Sequence, residues 1–423
     1  MSAKKKTVLK GFDYMHCDDF AKYLMDMAAK GWHFKEWGIG LKFEKGEPEQ
    51  AVYAVEVFAK ASEDDTRPAP ETKEFAEYCE VAGWQLIDGK QKFCIFKKVS
   101  EDSVELFTPE ERVANSFKAS VSGHTIALLI LYGFNVLLQW WNLDISFEQK
   151  IFSGLFLIAF TIWHEMFFGQ LWTILYAFWK KIKYKKDIKS GKELYIGNTK
   201  GQKIHFNMRD GYGIVLLILL TFYFYYIGKT EYIIYNVVIF ELTIGLAILI
   251  NKLRPDREDN IMIQIGFGVG MLLAFMLFSV IVMSVDEEDT AINQDKLPLV
   301  ISDYREYDDK IKSTDYYNDR NMFGSFDIYF IFGEEESIHY EIYTSENEKI
   351  LDRVWEEVVV AKKVNKDKIT DCTADWGAQK ALRNRWGNYY VRYENKILVF
   401  SDDESVYLTV EQINIIRDKL DLR

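Results

Sequence analysis

Long apolar runs dominate residues 123–284, and no other feature of the chain restricts its fold as much. A helix that crosses a bilayer needs about 20 consecutive apolar residues, each adding about 1.5 Å of rise. Runs of that length fall at about 124–142, within 151–179, and at about 212–228, 232–251 and 261–284. Together they predict a membrane α-helical bundle of five spans over residues 123–284, with the bilayer as its first partner. The second run is longer than one crossing requires. One long tilted helix is preferred there, because two short spans would put the basic loop that follows on the wrong side. Tyr and Trp gather near the ends of these runs, as amphipathic rings do at a membrane interface.

Bulk composition conceals this, with 27% charged residues and a mean hydropathy of −0.14. The charge is uneven. Residues 1–122 hold 18 basic and 22 acidic side chains, residues 123–284 hold 15 and 11, and residues 285–423 hold 19 and 31. The acidic last third argues against nucleic-acid binding, which draws its affinity from Lys and Arg. The segment Lys180–Asp210 carries ten basic residues and three acids. Lys252, Arg254 and Arg257 form a second basic cluster. Such loops face the cytoplasm, so five spans put the N-terminus inside and the C-terminus outside. Met1–Gly11 has lysines but no apolar stretch after them, so no signal peptide is expected. Cys17, Cys79, Cys94 and Cys372 show no CxxC spacing and read as free thiols.

Residues 1–100 contain a pattern twice. Phe20 to Gly31-Trp32 is a short amphipathic helix closed by Gly-Trp, followed by alternating strand-like residues. Phe75 to Gly83-Trp84 repeats it. Glycine after the last helical turn suits a cap that requires positive φ, and the tryptophan can fold back over a small core. Strands are predicted at Val8–Phe12, His33–Trp37, Leu41–Lys45, Val52–Phe58, Gln85–Asp88 and Lys92–Val99, giving an α+β repeat domain. On this repeated Gly-Trp pattern the segment resembles a bacterial family known as domain of unknown function family number 2812. The resemblance implies a bacterial protein whose relatives often continue into several spans. It also implies gene neighbourhoods with PadR-like transcriptional regulators, and supplies no catalytic residue. The second copy departs from the first in having Ala82 where Lys30 precedes Gly-Trp.

Residues 101–122 form a polar connector in which Thr108-Pro109-Glu110-Glu111 starts a helix. Residues 285–423 read as an acidic, extracytoplasmic α+β domain. Ser325–Phe332 with Ser337–Tyr343, and Asn388–Tyr393 with Lys396–Ser401, are predicted hairpins. Asn347–Lys363 is a predicted helix, and the Thr409/Gln412 capping box starts another through Leu420.

The candidates for chemistry are few. His164, Glu165 and Glu241 are ionisable residues inside spans, where charge is costly. They read as an interhelical hydrogen bond or, functionally, as a switch within the bundle. His164-Glu165 is not a zinc protease motif, because the second His of HExxH is replaced by Phe168. Gly266 and Gly270 share a helix face that permits close packing, within the chain or in a homodimer. Trp376, Arg383, Arg385 and Trp386 form either core or a cleft for a sugar-like or charged ligand. No catalytic set, metal cluster or cofactor motif is evident.

The expected function is therefore a non-catalytic relay between an outer sensing domain and a cytosolic domain that binds a regulatory protein. The alternatives are a transport accessory or permease-like subunit, or a membrane scaffold.

Overall fold

A computed structural model describes residues 4–197, 218–226, 230–289, 297–306, 311–361, 369–402 and 407–422. The repeat is real in three dimensions. The first copy consists of β1 (Lys5–Val8), α1 (Cys17–Ala28), β2 (Trp32–Trp37) and β3 (Leu41–Lys45), with sheet order β1-β3-β2. The second has β4 (Tyr53–Val57), α2 (Pro70–Val81), β5 (Trp84–Lys90) and β6 (Phe93–Lys98), with order β4-β6-β5. In both, the last strand lies in the middle and every pairing is antiparallel. The copies interlock, because α1 packs on β4 as well as on β2. The expected strand at Val8–Phe12 is displaced: β1 ends at Val8, and Phe12 turns into the core, its ring stacked 4.2 Å from that of Phe20.

The polar connector forms α3 (Pro109–Ser120), with the Thr108/Glu111 capping box in place. Then come α4 (Gly123–Ile145), α5 (Phe147–Lys150), α6 (Gly154–Lys189), α7 (Thr230–Leu253) and α8 (Arg257–Asp289). The second apolar run is thus one helix, and its 36 residues extend about 54 Å at 1.5 Å per residue.

The five-span bundle expected from the sequence is corrected. Among the described residues two helical stretches are long and apolar enough to cross a membrane: Pro109–Ile145 and Gly154–Lys189, with mean hydropathy 1.7 and 1.3. They correspond to the first two expected spans. Much of the third falls outside the described residues, and the fourth and fifth coincide with α7 and α8. α7 and α8 are continuous helices of 24 and 33 residues but are not among the two stretches that qualify. Nor is a helical bundle the right class for a chain that also builds three sheets, one of them seven-stranded.

The chain divides into two units, one comprising Met1–Phe134, Trp163–Phe224 and Lys229–Leu273, the other Asn135–Ile162, Tyr225–Gly228 and Ala274–Arg423. The second is built on an antiparallel sheet of seven strands. These are β7 (Ser313–Asn321), β8 (Gly324–Phe332), β9 (Ser337–Thr344), β10 (Thr370–Asp371), β11 (Lys380–Arg383), β12 (Tyr389–Arg392) and β13 (Lys396–Asp402), in the order β10-β11-β12-β13-β9-β8-β7. Both predicted hairpins are present, joined through the β13–β9 pairing. Short helices α9 (Ile301–Tyr304) and α11 (Thr373–Trp376) and the terminal α12 (Val410–Lys419) cover one face; α10 (Glu348–Glu356) covers the other.

Strand alternation divides the core between these faces. Ile338, Tyr340, Leu398 and Phe400 pack with Ile413 and Ile416 of α12. Tyr343, Ile397 and Val399 pack with Leu351 and Val354 of α10, and with Ile151 and Phe152 from the α4–α6 connection. Asn321 fastens that connection by donating to the Ile151 carbonyl at 2.9 Å.

Candidate functional site

In the repeat domain, two glycines set the geometry. Gly31 has φ +74° and Gly83 φ +84°. A Cβ at Gly31 would meet the Gly46 carbonyl oxygen at 2.6 Å, and one at Gly83 would meet the Ser103 Cβ at 2.9 Å. Trp32 and Trp84 follow, each partly buried against its own copy's core. Each strand then bulges at the same offset: the register slips between Phe34 and Glu36 in β2, and between Leu86 and Asp88 in β5. A bulge re-aims the side chains beside it. Here it brings two carboxylates, Glu36 and Asp88, from matching positions in the repeat to one target.

That target is Arg254, in the turn between α7 and α8. It precedes Pro255 and adopts φ +51°, a conformation uncommon outside glycine. Its guanidinium is 14% exposed and satisfied on three sides. Nη2 donates to Asp88 Oδ1 at 2.9 Å and to the Gly89 carbonyl at 3.1 Å, and Nε donates to the Thr66 carbonyl at 2.8 Å. Glu36 Oε2 lies 3.6 Å from Nη1. Asp88 is buried, and its other oxygen accepts the Trp37 backbone N–H at 2.6 Å, so one carboxylate ties both copies to the turn. Glu36 is held below the usual carboxylate range, chiefly by its hydrogen bond from Lys42. Burial, with Arg254 adding to it, lowers the Lys90 ammonium to about 8. Lys90 donates to the Gly38 carbonyl at 3.1 Å and to Asn251 on α7.

A second contact fastens the start of α8. Arg257 makes a two-pronged pair with Asp65, at 2.8 and 3.0 Å, while Asn260 donates to the Asp64 carbonyl at 2.8 Å. Asp65 is buried, so this pair is worth more than an exposed one. Thr66 donates to the Pro255 carbonyl.

The other helices of this unit are gripped as well. On α3, Arg112 reaches Asp18 at 2.6 Å and Glu56 at 2.9 Å. Burial pushes the Glu56 carboxyl up to about 7, against the opposing pull of Arg112. On α6, Tyr176 lies 3.2 Å from Nε2 of the buried His16, whose Nδ1 is 2.7 Å from Asp13. Tyr184 donates to the Met15 carbonyl, and Lys180 to the Gly197 carbonyl.

The expected site residues fare differently. Glu165 and Glu241 lie on exposed faces of α6 and α7, and His164 is half-buried, its ring 6.5 Å from that of Phe168. A Cβ on Gly266 or Gly270 meets no described atom within 4 Å, so close packing at these glycines is not seen within the described chain. Arg383, Arg385 and Trp386 do share a cleft in the second unit, of about 570 Å³. Trp376 does not: it is fully buried beneath the sheet, its ring 5.6 Å from that of Tyr389. All four cysteines are free and buried. Among the described residues no group of His, Cys, Asp and Glu is arranged to hold a metal ion.

Sequence reasoning missed the Arg254 socket. Glu36 and Asp88 each stand five residues beyond a repeat glycine, and aligning the copies past the Gly-Trp pairs would have exposed them.

Residues 17–130, from α1 into α4, match the model of a family described as Protein of unknown function (DUF2812). No curated protein matches the chain, and no solved structure does.

Proposed function

We propose that this protein is a non-catalytic, membrane-associated relay, in which the repeat domain reports the disposition of the α7–α8 turn to a cytosolic partner protein. One observation carries the reading: equivalent carboxylates from both copies, Glu36 and Asp88, close on Arg254. A turn held between two copies of one motif changes their mutual angle when it moves. Membrane association rests on the two long apolar stretches.

In this reading the protein is multi-pass, with the repeat domain cytoplasmic beside the lysines that follow Trp179. The connection ending in Ile151 and Phe152, with the sheet it packs against, is then extracytoplasmic. A transport role is less well supported, since Glu165 and Glu241 lie on exposed helix faces.

Coupling between sites is reciprocal, so loosening the socket must be felt elsewhere. The test is hydrogen exchange on the full chain in detergent, comparing wild type with Arg254→Gln. The reading expects altered protection in the β8–β9 hairpin and β13 as well as in β2 and β5. Changes confined to residues 4–130 would refute a relay and leave a fastened anchor.

A further inference from the structure

The cleft of the second unit lies at the open end of β11 and is lined by Ile369, Thr370, Arg383, Arg385, Trp386 and Tyr407, with Asn384 at its base. Its volume, about 570 Å³, falls within the range of small-molecule sites. The turn that forms it is rigidly made. Asn384 is buried, and its Oδ1 accepts the backbone N–H groups of Trp386 and Asn388, both at 3.0 Å. Gly387, at φ +95°, completes the turn.

Two guanidinium groups are held on aromatic faces. Arg383 lies 3.8 Å from the Tyr407 ring centre and 5.5 Å from that of Tyr389, and Arg385 lies 4.1 Å from the Trp386 ring centre. The Arg383 side chain is buried and hydrogen-bonded to Tyr407 and Tyr389, so it backs the cleft, whereas the exposed Arg385, stacked on Trp386, can present the planar edge of its guanidinium to a carboxylate. The rings of Trp386 and Tyr407 are 48% and 60% exposed, large for aromatics on a folded domain. The hydroxyls of Thr370 and Tyr407 stand 3.3 Å apart on the rim.

Charge, ring face and hydroxyl donors thus converge in one concave place, within a segment whose acids outnumber its bases by 31 to 19. A general surface attraction for anions is not expected of such a segment, so Arg385 acts locally.

We infer that this cleft binds an acidic sugar unit, its carboxylate on Arg385, its ring against Trp386 and its hydroxyls on Thr370 and Tyr407. The inference names the class of signal for the relay proposed above. Its test reads binding alone, so failure of the relay leaves it standing and failure of binding leaves the relay to be judged by exchange.

The experiment is calorimetric titration of the full chain in detergent with D-glucuronate, D-glucose and inorganic phosphate as probes. D-glucuronate is expected to bind at least ~10-fold tighter than D-glucose, the difference of one charged contact. Arg385→Ala and Trp386→Ala should each weaken it by ~10-fold, with melting curves confirming that both variants fold. Lys380→Ala, on the same strand outside the cleft, should leave it unchanged. Failure of D-glucuronate to bind, equal affinity for D-glucose, tighter binding of phosphate, or indifference to Arg385→Ala would each overturn the proposal.

Discussion

Glu36 and Asp88 occupy the same position in two copies of one motif, and their carboxylates approach the same arginine, Arg254, at 3.6 and 2.9 Å. The positions are equivalent but the environments are not. The Asp88 side chain is 6% exposed, against 40% for Glu36. Removing one partner of a buried pair leaves a stranded charge and costs about 3–5 kcal/mol, whereas an exposed ion pair is worth about 0–1 kcal/mol. Asp88→Ala should therefore destabilise the repeat domain severely, also orphaning the Trp37 N–H, while Glu36→Gln should cost under about 1 kcal/mol. Chemical denaturation followed by tryptophan fluorescence checks this. Equal losses would mean that the two copies carry the turn equally.

The repeat glycines differ in the same instructive way. Both need positive φ, which an alanine tolerates at a cost of roughly 1–2 kcal/mol. At Gly31 the added Cβ also meets a backbone oxygen at 2.6 Å, which cannot move without breaking the chain's own path. At Gly83 the nearest atoms are the Cβ carbons of Ser103 and Ser100, at 2.9 and 3.0 Å, a less severe approach. Gly31→Ala should therefore lower the melting temperature more than Gly83→Ala, and calorimetry on the two variants tests the order.

Much of this fold was legible because local signals agreed with one another. The Gly-Trp pattern announced the repeat, the Thr108 and Thr409 caps began helices where expected, and the second apolar run proved to be one helix. Three features were not legible, each for a physical reason. β7 is a polar strand, Ser-Thr-Asp-Tyr-Tyr-Asn-Asp-Arg-Asn, with no apolar alternation to mark it. The seven-stranded sheet depends on β13 pairing with the distant β9, which no local pattern encodes. Of the two readings of Trp376, Arg383, Arg385 and Trp386, the Trp376 indole takes the core one and the other three line the cleft, a division that sequence proximity does not encode. The expected five spans exceed the two qualifying stretches found among the described residues.

Glu56 gives the repeat domain a dependence on pH. Its carboxyl titrates near 4.5 when unfolded and at about 7 when folded, because burial disfavours the charged form. Between those values the folded state keeps a proton that the unfolded state has lost. Stability from this group is therefore full below about 4.5 and falls as pH rises toward 7, by up to about 1.4 kcal/mol per unit. Glu56→Gln should flatten that slope while keeping an acceptor for Arg112. Melting temperatures at pH 5 and 7 decide it: an identical difference in wild type and variant would exclude Glu56 as the source.

Orientation is the property on which the relay depends most, and one side chain can report it. Glu394 is exposed in the turn between β12 and β13, where Tyr393 donates to the Lys396 carbonyl at 2.8 Å. The native cysteines are all buried, so a thiol at position 394 would be the accessible one among the described residues. Glu394→Cys should react with a membrane-impermeant maleimide on intact cells if the seven-stranded sheet is extracytoplasmic. Reaction only after lysis would put the sheet beside the repeat domain in the cytoplasm. No signal would then need to cross the bilayer, and the Arg254 socket would serve to anchor the two helices rather than to read them.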